Sequence, residues 1–266
     1  MDKEVSSAAA AVRVVEDSMT IATGGFGVCG IPTVLLAALA GRGSGDLTVI
    51  SNNCGIAGVG NSLLLENRQI RKLIASYVGE NKELERQYLA GEIEIELNPQ
   101  GTLAERLRAG GAGIAAFFTQ SGVGTVVAEG GLPIRYAADG SVAVASAPKR
   151  VERFDWRGTE RDFVLEHALY PDVALIRAWK GDRHGNLLFR KAARNFNPMC
   201  AMAAKVTIAE VEDVVEPGVL DPDDIHLPGV YVNQILPLSV HDVAGKGIER
   251  RTGRTHDDSA IREGAA

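Results

Sequence analysis

The chain has 266 residues, 45% of them hydrophobic and 23% charged, which supplies a sizeable core and excludes disorder and fibres. Aromatics are only 5%, and the net charge of −6 is relieved by no run of Lys or Arg, so nucleic acid is not an expected partner. Cys29, Cys54 and Cys200 are an odd set without C-x-x-C spacing, which argues against a disulfide framework and a zinc site and fits a reducing cytoplasm. Met1-Asp2-Lys3-Glu4 lacks the character of a secretory signal, and Ile31 to Ala40 falls short of the ~18 apolar residues of a membrane span, so no membrane is expected either.

In chain order, Ala8 to Val15 has helical spacing and Met19 to Thr23 is a short apolar run. A glycine loop, Gly24 to Gly30, and a helix from Pro32 to Leu39 follow. Leu47 to Ser51 reads as a second buried strand, Lys72 to Ser76 as a third, and Asn81 to Ala90 as a helix ended by Gly91. Glu92 to Leu97 alternates as a strand. Thr102 to Ala109 is predicted as a helix, with Thr102 as N-cap, Glu105 completing a capping box and Gly110 as the stop. This alternation predicts an α/β fold: an open, mainly parallel sheet with helices on both faces.

From about 114 to 170 the texture changes. Ile114 to Thr119, Thr125 to Ala128, Val142 to Ser146 and Val151 to Phe154 read as short strands of an inserted antiparallel region. Parallel character returns with Val173 to Trp179, Leu187 to Phe189 and Val206 to Val211. No internal repeat is evident, and the expected organisation is one domain over 1–247 with a polar, frayed tail over 248–266.

Gly25-Phe26-Gly27-Val28-Cys29-Gly30 satisfies G-x-G-x-x-G between a predicted strand and a predicted helix, the context of a dinucleotide fingerprint. A nicotinamide-linked oxidoreductase also needs a carboxylate at the far end of the second strand. Asp46 lies before that strand, and Ser51, Asn52 and Asn53 stand where the carboxylate should be. What remains is mechanical: glycines let backbone approach a ligand, and N–H groups beside a helix start favour an anion or a developing oxyanion. A tight turn without a ligand is the alternative.

Further stretches accompany the loop. Asp17, then Gly24-Gly25-Phe26 and Gly30-Ile31-Pro32, resembles the signature of the A-type subunits of the class I (3-oxoacid) coenzyme A transferases. Ser51-Asn52-Asn53-Cys54-Gly55, Ser76-Tyr77-Val78-Gly79-Glu80-Asn81, Pro99-Gln100-Gly101-Thr102-Leu103-Ala104-Glu105-Arg106 and Arg194-Asn195-Phe196-Asn197 agree with it, over about residues 4 to 252. Three positions depart: Ser18 where the signature has Gly or Asn, Thr23 where it has an apolar residue, and Asn61-Ser62 where a Leu-Gly pair is expected.

The resemblance implies that Gly24, Gly25, Phe26, Gly27, Val28, Cys29 and Gly30 cradle the coenzyme A thioester, and that Asn52, Asn53 and Gln100 line the acyl and keto-acid pocket. By residue chemistry alone, the two asparagines equally suit an Asx turn before Gly55. In the family a glutamate in a Ser-Glu-Asn-Gly motif attacks the thioester and carries CoA as a glutamyl thioester. Glu66-Asn67 and Glu80-Asn81 lack those flanks, so no catalytic residue is assigned to this chain. The glutamate is expected on a partner, the B-type CoA-transferase subunit, in an α2β2 assembly.

Gly130 to Ile134, Ser141 to Ser146 and Asp182 to Asn186 look most like members that move CoA from succinyl-CoA to acetoacetate. Members acting on 3-oxoadipate stay open, as does a non-catalytic CoA-binding module. No permanently bound cofactor and no metal are expected. Glu92, Glu94 and Glu96 read as the solvated face of a strand, and His167, His184, His226, His241 and His256 have no ligand spacing.

Overall fold

The first strand is short and apolar, and the chain leaves it to build outward on one side before returning to the other. The computed structural model describes residues 2–245, so the expected tail over 248–266 lies outside the described residues. After α1 (Ala8–Ala11), capped by Ser7, come β1 (Thr20–Thr23), α2 (Thr33–Arg42), β2 (Leu47–Ile50), α3 (Ser62–Glu66) and β3 (Ile70–Ala75). Next are α4 (Lys82–Leu89), β4 (Glu94–Leu97) and α5 (Gln100–Gly111). A region of β5 (Ala116–Thr119), α6 (Val126–Glu129), β6 (Pro133–Tyr136), β7 (Val142–Ala145), β8 (Val151–Trp156) and β9 (Thr159–His167) follows. The chain then adds β10 (Val173–Asp182), β11 (Leu187–Leu188), α7 (Asn197–Ala203), β12 (Val206–Val215), β13 (Gln234–Pro237) and α8 (Val240–Ala244).

The main sheet runs β13-β12-β10-β1-β2-β3-β4 with every neighbour parallel, and β11 adds antiparallel to the far end of β10. Alternate side chains of each strand feed two cores. Ile21, Val49 and Leu73 pack with Leu35, Leu36 and Leu39 of α2 and with Leu64 and Leu84, while Ala22, Ile50, Ile74 and Ile176 pack on the opposite face with Leu103, Leu107 and Cys200. Each fully buried Leu or Ile contributes about 1.5–3 kcal/mol, so both helical layers are held mainly by this burial. The mainly parallel α/β architecture predicted from the sequence is the one observed.

Beyond β4, β5-β9-β8 form a three-stranded antiparallel sheet and β6-β7 a hairpin. The hairpin docks on α4, where the Tyr88 hydroxyl donates to the Pro133 carbonyl at 2.6 Å. Three local expectations are corrected. Leu187 to Phe189, expected with the parallel strands, folds back across the 182–186 turn, so β11 pairs antiparallel with β10. Thr125 to Ala128 is not a strand: the Thr125 hydroxyl accepts from the Val127 N–H at 3.2 Å and caps the short α6. The helix expected from Thr102 starts two residues earlier, behind Pro99, so the Thr102 hydroxyl is buried inside the helix and the capping box does not form. That helix also runs through Gly110 to Gly111. These glycines serve close packing: a Cβ on Gly110 would stand 2.0 Å from the Leu169 carbonyl oxygen.

Candidate active site

Because β1 to β4 run outward from β1 and β10, β12 and β13 fill the other side, the strand order reverses between β1 and β10. In open parallel sheets such a point, at the strands' C-terminal ends, leaves a crevice for ligands. Two loops of one construction flank it here. After β1, Phe26 and Cys29 exchange reciprocal backbone hydrogen bonds of 3.0 Å; after β2, Ile56 and Val59 pair in the same way, with the Val59 N–H donating at 2.8 Å. Gly25 (φ 111°) and Gly55 (φ 82°) open the two hairpins, and a Cβ on Gly55 would lie 2.1 Å from the Val59 carbonyl oxygen. The loops form a local repeat, which identity of letters does not reveal because Phe26-Gly27-Val28-Cys29 and Ile56-Ala57-Gly58-Val59 share little beyond size.

Between the loops lies a cleft of about 600 Å³. Phe26, Ile56 and Tyr77 form its apolar walls, and Asn52, Ser76 and Gln100 its polar floor. Each floor residue follows a strand of the main sheet: Asn52 after β2, Ser76 directly after β3 and Gln100 after β4 through Asn98-Pro99. Asn52 is buried and organises the floor. Its Oδ1 accepts from the Gly27 N–H at 3.2 Å, and its Nδ2 donates to Ser76 Oγ at 3.0 Å and Gln100 Oε1 at 2.8 Å. The Ser76 hydroxyl also donates to Gln100 Oε1.

With Oε1 doubly engaged, Gln100 has its NH2 to offer a ligand. Asn53 has its NH2 too, because its Oδ1 accepts from the Gly55 N–H at 3.0 Å and closes an Asx turn. None of the residues lining the cleft is cationic. Glu80 adds an acidic side chain to the lining, so the two NH2 groups and the apolar walls suit a neutral acceptor oxygen with apolar flanks, such as a thioester carbonyl.

The candidates named from sequence separate accordingly. Phe26, Gly27, Val28, Asn52, Asn53 and Gln100 line the cleft, whereas Gly24 and Gly25 border a smaller adjoining void and Cys29 and Gly30 border neither. Ser76, Tyr77 and Ile56 join the site without being candidates from sequence. Ser76 is open to the same reasoning as Asn52, since it directly follows a buried strand, while Ile56 and Tyr77 need the loops' geometry. Two of the departures meet: Asn61 Nδ2 donates to Thr23 Oγ1 at 2.8 Å and to the Asn53 carbonyl at 3.3 Å.

Asp46 sits at the N-terminal end of β2, paired with Arg71 at 3.3 Å, away from the cleft. A ribose-binding role for it is excluded by position. Burial, reinforced by Glu66, pushes the Cys54 thiol up to about 12, and burial does the same at Cys200, so both are neutral packing groups. Glu92 pairs with Arg68 and Arg86, Glu94 with Arg71, and Glu96 with Lys72 and Arg106. Burial would raise the Glu96 carboxyl, but the hydrogen bonds from Arg106 and Lys72 outweigh it and hold it at about 2.

The chain belongs to the coenzyme A transferase family, whose profile matches residues 5–237. It is 56% identical over 254 residues to the probable A-type subunit of the succinyl-CoA:3-ketoacid coenzyme A transferase of Mycobacterium tuberculosis, covering 96% of this chain and 100% of that protein. The corresponding protein of Xanthomonas campestris pv. campestris is 55% identical over 249 residues, with 94% and 93% covered. Among solved structures, an acyl-CoA transferase of Escherichia coli O157:H7, described as a thioester complex with CoA, superposes with a TM-score of 0.73 at 22% identity over 90% of this chain. That likeness is one of fold, and this chain spans about half the E. coli protein's length, 47%.

Proposed function

We propose that this chain is the A-type half of a transferase that moves CoA from succinyl-CoA to a 3-oxo acid, acetoacetate, and that a B-type partner supplies the attacking glutamate in an α2β2 assembly. The observation that carries the reading is the cleft itself: amide donors converge on an apolar slot without a cation, at the switch point of a coenzyme A transferase fold. Its support is the high identity to proteins named for succinyl-CoA and 3-ketoacids. 3-Oxoadipate as acceptor is the second reading, carried by the same cleft. No helix among the described residues is long and apolar enough to cross a membrane.

The proposed chemistry needs neither water nor a redox partner. The partner's carboxylate adds to the succinyl thioester carbonyl, the C–S bond breaks, and CoA leaves as thiolate with a succinyl-glutamyl anhydride behind it. The thiolate then adds to the glutamyl carbonyl and expels succinate, giving a glutamyl-CoA thioester; the acceptor carboxylate reverses both steps. Each addition places negative charge on a carbonyl oxygen. The NH2 groups of Asn53 and Gln100 and the backbone of the glycine loop serve that oxygen, where one well-placed donor is worth about 10²–10³ in rate. Phe26, Ile56 and Tyr77 keep water from the anhydride and the thioester.

The test is to purify the chain with its companion, add succinyl-CoA without acceptor, and weigh the separated chains under denaturing conditions. The CoA increment is expected on the companion. An increment on this chain would move the nucleophile here, with Glu80 at the cleft as its first candidate; a chain that copurifies with nothing and transfers nothing would sink the reading.

A further inference from the structure

The segment Asn195-Phe196-Asn197 borders no part of the cleft, yet it grips the glycine loop from behind. Asn197 is fully buried at the start of α7: its Nδ2 donates to the Gly30 carbonyl at 3.0 Å, and its Oδ1 accepts from the Arg177 backbone N–H at 3.0 Å. Asn195 Nδ2 donates to the Cys29 carbonyl at 3.1 Å. The contact is close enough that a Cβ on Gly24 would stand 1.8 Å from Asn197 Oδ1.

The other end of the loop is held from a different strand. α2 begins directly after the loop, behind Pro32, which caps nothing with its side chain. Glu210, fully buried on β12, does the capping instead: one oxygen, Oε2, accepts from the Val34 N–H at 2.9 Å and the Leu35 N–H at 3.0 Å. Its other oxygen accepts from Arg177 Nη1 at 3.1 Å, and Arg177 Nε donates to Glu212 at 3.0 Å. Arg177 thus joins both clamps, by its backbone to Asn197 and by its guanidinium to Glu210. A lone buried carboxylate is costly, and here the helix N–H groups and one arginine offset that cost while fixing where α2 starts.

We infer that Glu210, Asn197 and Asn195 are positioning residues for the transfer reaction, setting where the glycine-loop backbone and Phe26 stand at the cleft. The inference rests on the proposed reading of that loop as part of the acyl site. Burial raises the Glu210 carboxyl to about 7, against the pull of Arg177 and the two N–H groups. The groups facing it are Arg177 from β10, with Glu212 beyond, and the start of α2. Taking up a proton near neutral pH weakens its hold on all of them, so an acid limb in kcat accompanies the clamp.

The experiment uses the assembled enzyme with succinyl-CoA and acetoacetate, comparing Glu210→Gln, Asn195→Ala and Gly25→Val. Glu210→Gln is expected to lower kcat about tenfold with KM changed less than about twofold, because sub-ångström displacement of donors costs turnover first. Its acid limb should flatten. Native-state hydrogen exchange should quicken at Val34, Leu35 and residues 24–30 while β2 and β3 keep wild-type protection. Unchanged kcat, or exchange that quickens uniformly through the sheet, overturns the inference. Asn195→Ala, at a half-buried site, covers a failure of Glu210→Gln to assemble: a wild-type kcat there also overturns it. Gly25→Val separates the two levels. If it abolishes transfer while the clamp variants are silent, only the positioning role falls; if Gly25→Val is itself silent, the reading of the loop falls.

Discussion

Asn52→Ala removes three hydrogen bonds at once: those with the Gly27 N–H at 3.2 Å, Ser76 Oγ at 3.0 Å and Gln100 Oε1 at 2.8 Å. At about 0.5–1.5 kcal/mol each the loss is roughly 1.5–4.5 kcal/mol, divided between the folded state and the transition state. The division follows from what is left behind. Gln100 Oε1 keeps the Ser76 hydroxyl and the Ser76 backbone N–H keeps the Asn52 carbonyl at 3.1 Å, so the strand ends stay joined, while the Gly27 N–H and the Gln100 side chain lose the group that aims them. The larger share is therefore expected in turnover, with kcat/KM falling about 10²-fold for some 2.7 kcal/mol and the remainder appearing as a modest drop in Tm. The assay is steady-state CoA transfer by the assembled enzyme beside calorimetry of the same preparation. A rate within about twofold of wild type, together with a Tm fall accounting for all three bonds, would show that Asn52 only joins strand ends.

Four further outcomes are expected. Glu80→Gln should retain transfer, measured in the same assay, since the attacking carboxylate is proposed on the partner. Glu96→Gln should lower stability at neutral pH and flatten its acid dependence: the folded value of about 2 lies below the usual 4.5, so the stabilisation is full above about 4.5 and lost as pH falls toward 2, and the urea-unfolding free energies of wild type and variant should converge at low pH. Thr23→Val and Asn61→Leu should couple, the double variant being more stable than the sum of the singles by about 0.5–1.5 kcal/mol in urea, because each single change strands a buried partner. Cys54 and Cys200, buried and raised to about 12, should resist iodoacetamide at pH 8 in the native enzyme, as peptide mass mapping would show.

The alternation of buried strands and helices, the glycine loop between β1 and α2, and the amides following β2 and β4 are legible along the chain. Each is local: a strand buried on both faces needs a continuous apolar run, a hairpin tip needs glycine at positive φ, and residues just past a parallel strand face the crevice. Local signals also mislead where two of them compete. Thr125 reads with the valines after it as strand, whereas its hydroxyl caps α6; Thr102 reads as a cap, whereas Pro99 starts α5 earlier.

What the sequence by itself determined is the α/β class, the family and the residue types offered to the site. The tertiary structure decided how they are shared out: Asn53 spends its oxygen on an Asx turn while Asn52 joins three segments, and Ile56 and Tyr77 reach the same cleft as Phe26. It also decided that Glu210, 176 residues from Val34 along the chain, caps the helix behind the glycine loop. The physical reason is that a hydrogen bond depends on distance and direction in space. Only the return of β10 and β12 to the far side of β1 brings that carboxylate to those N–H groups.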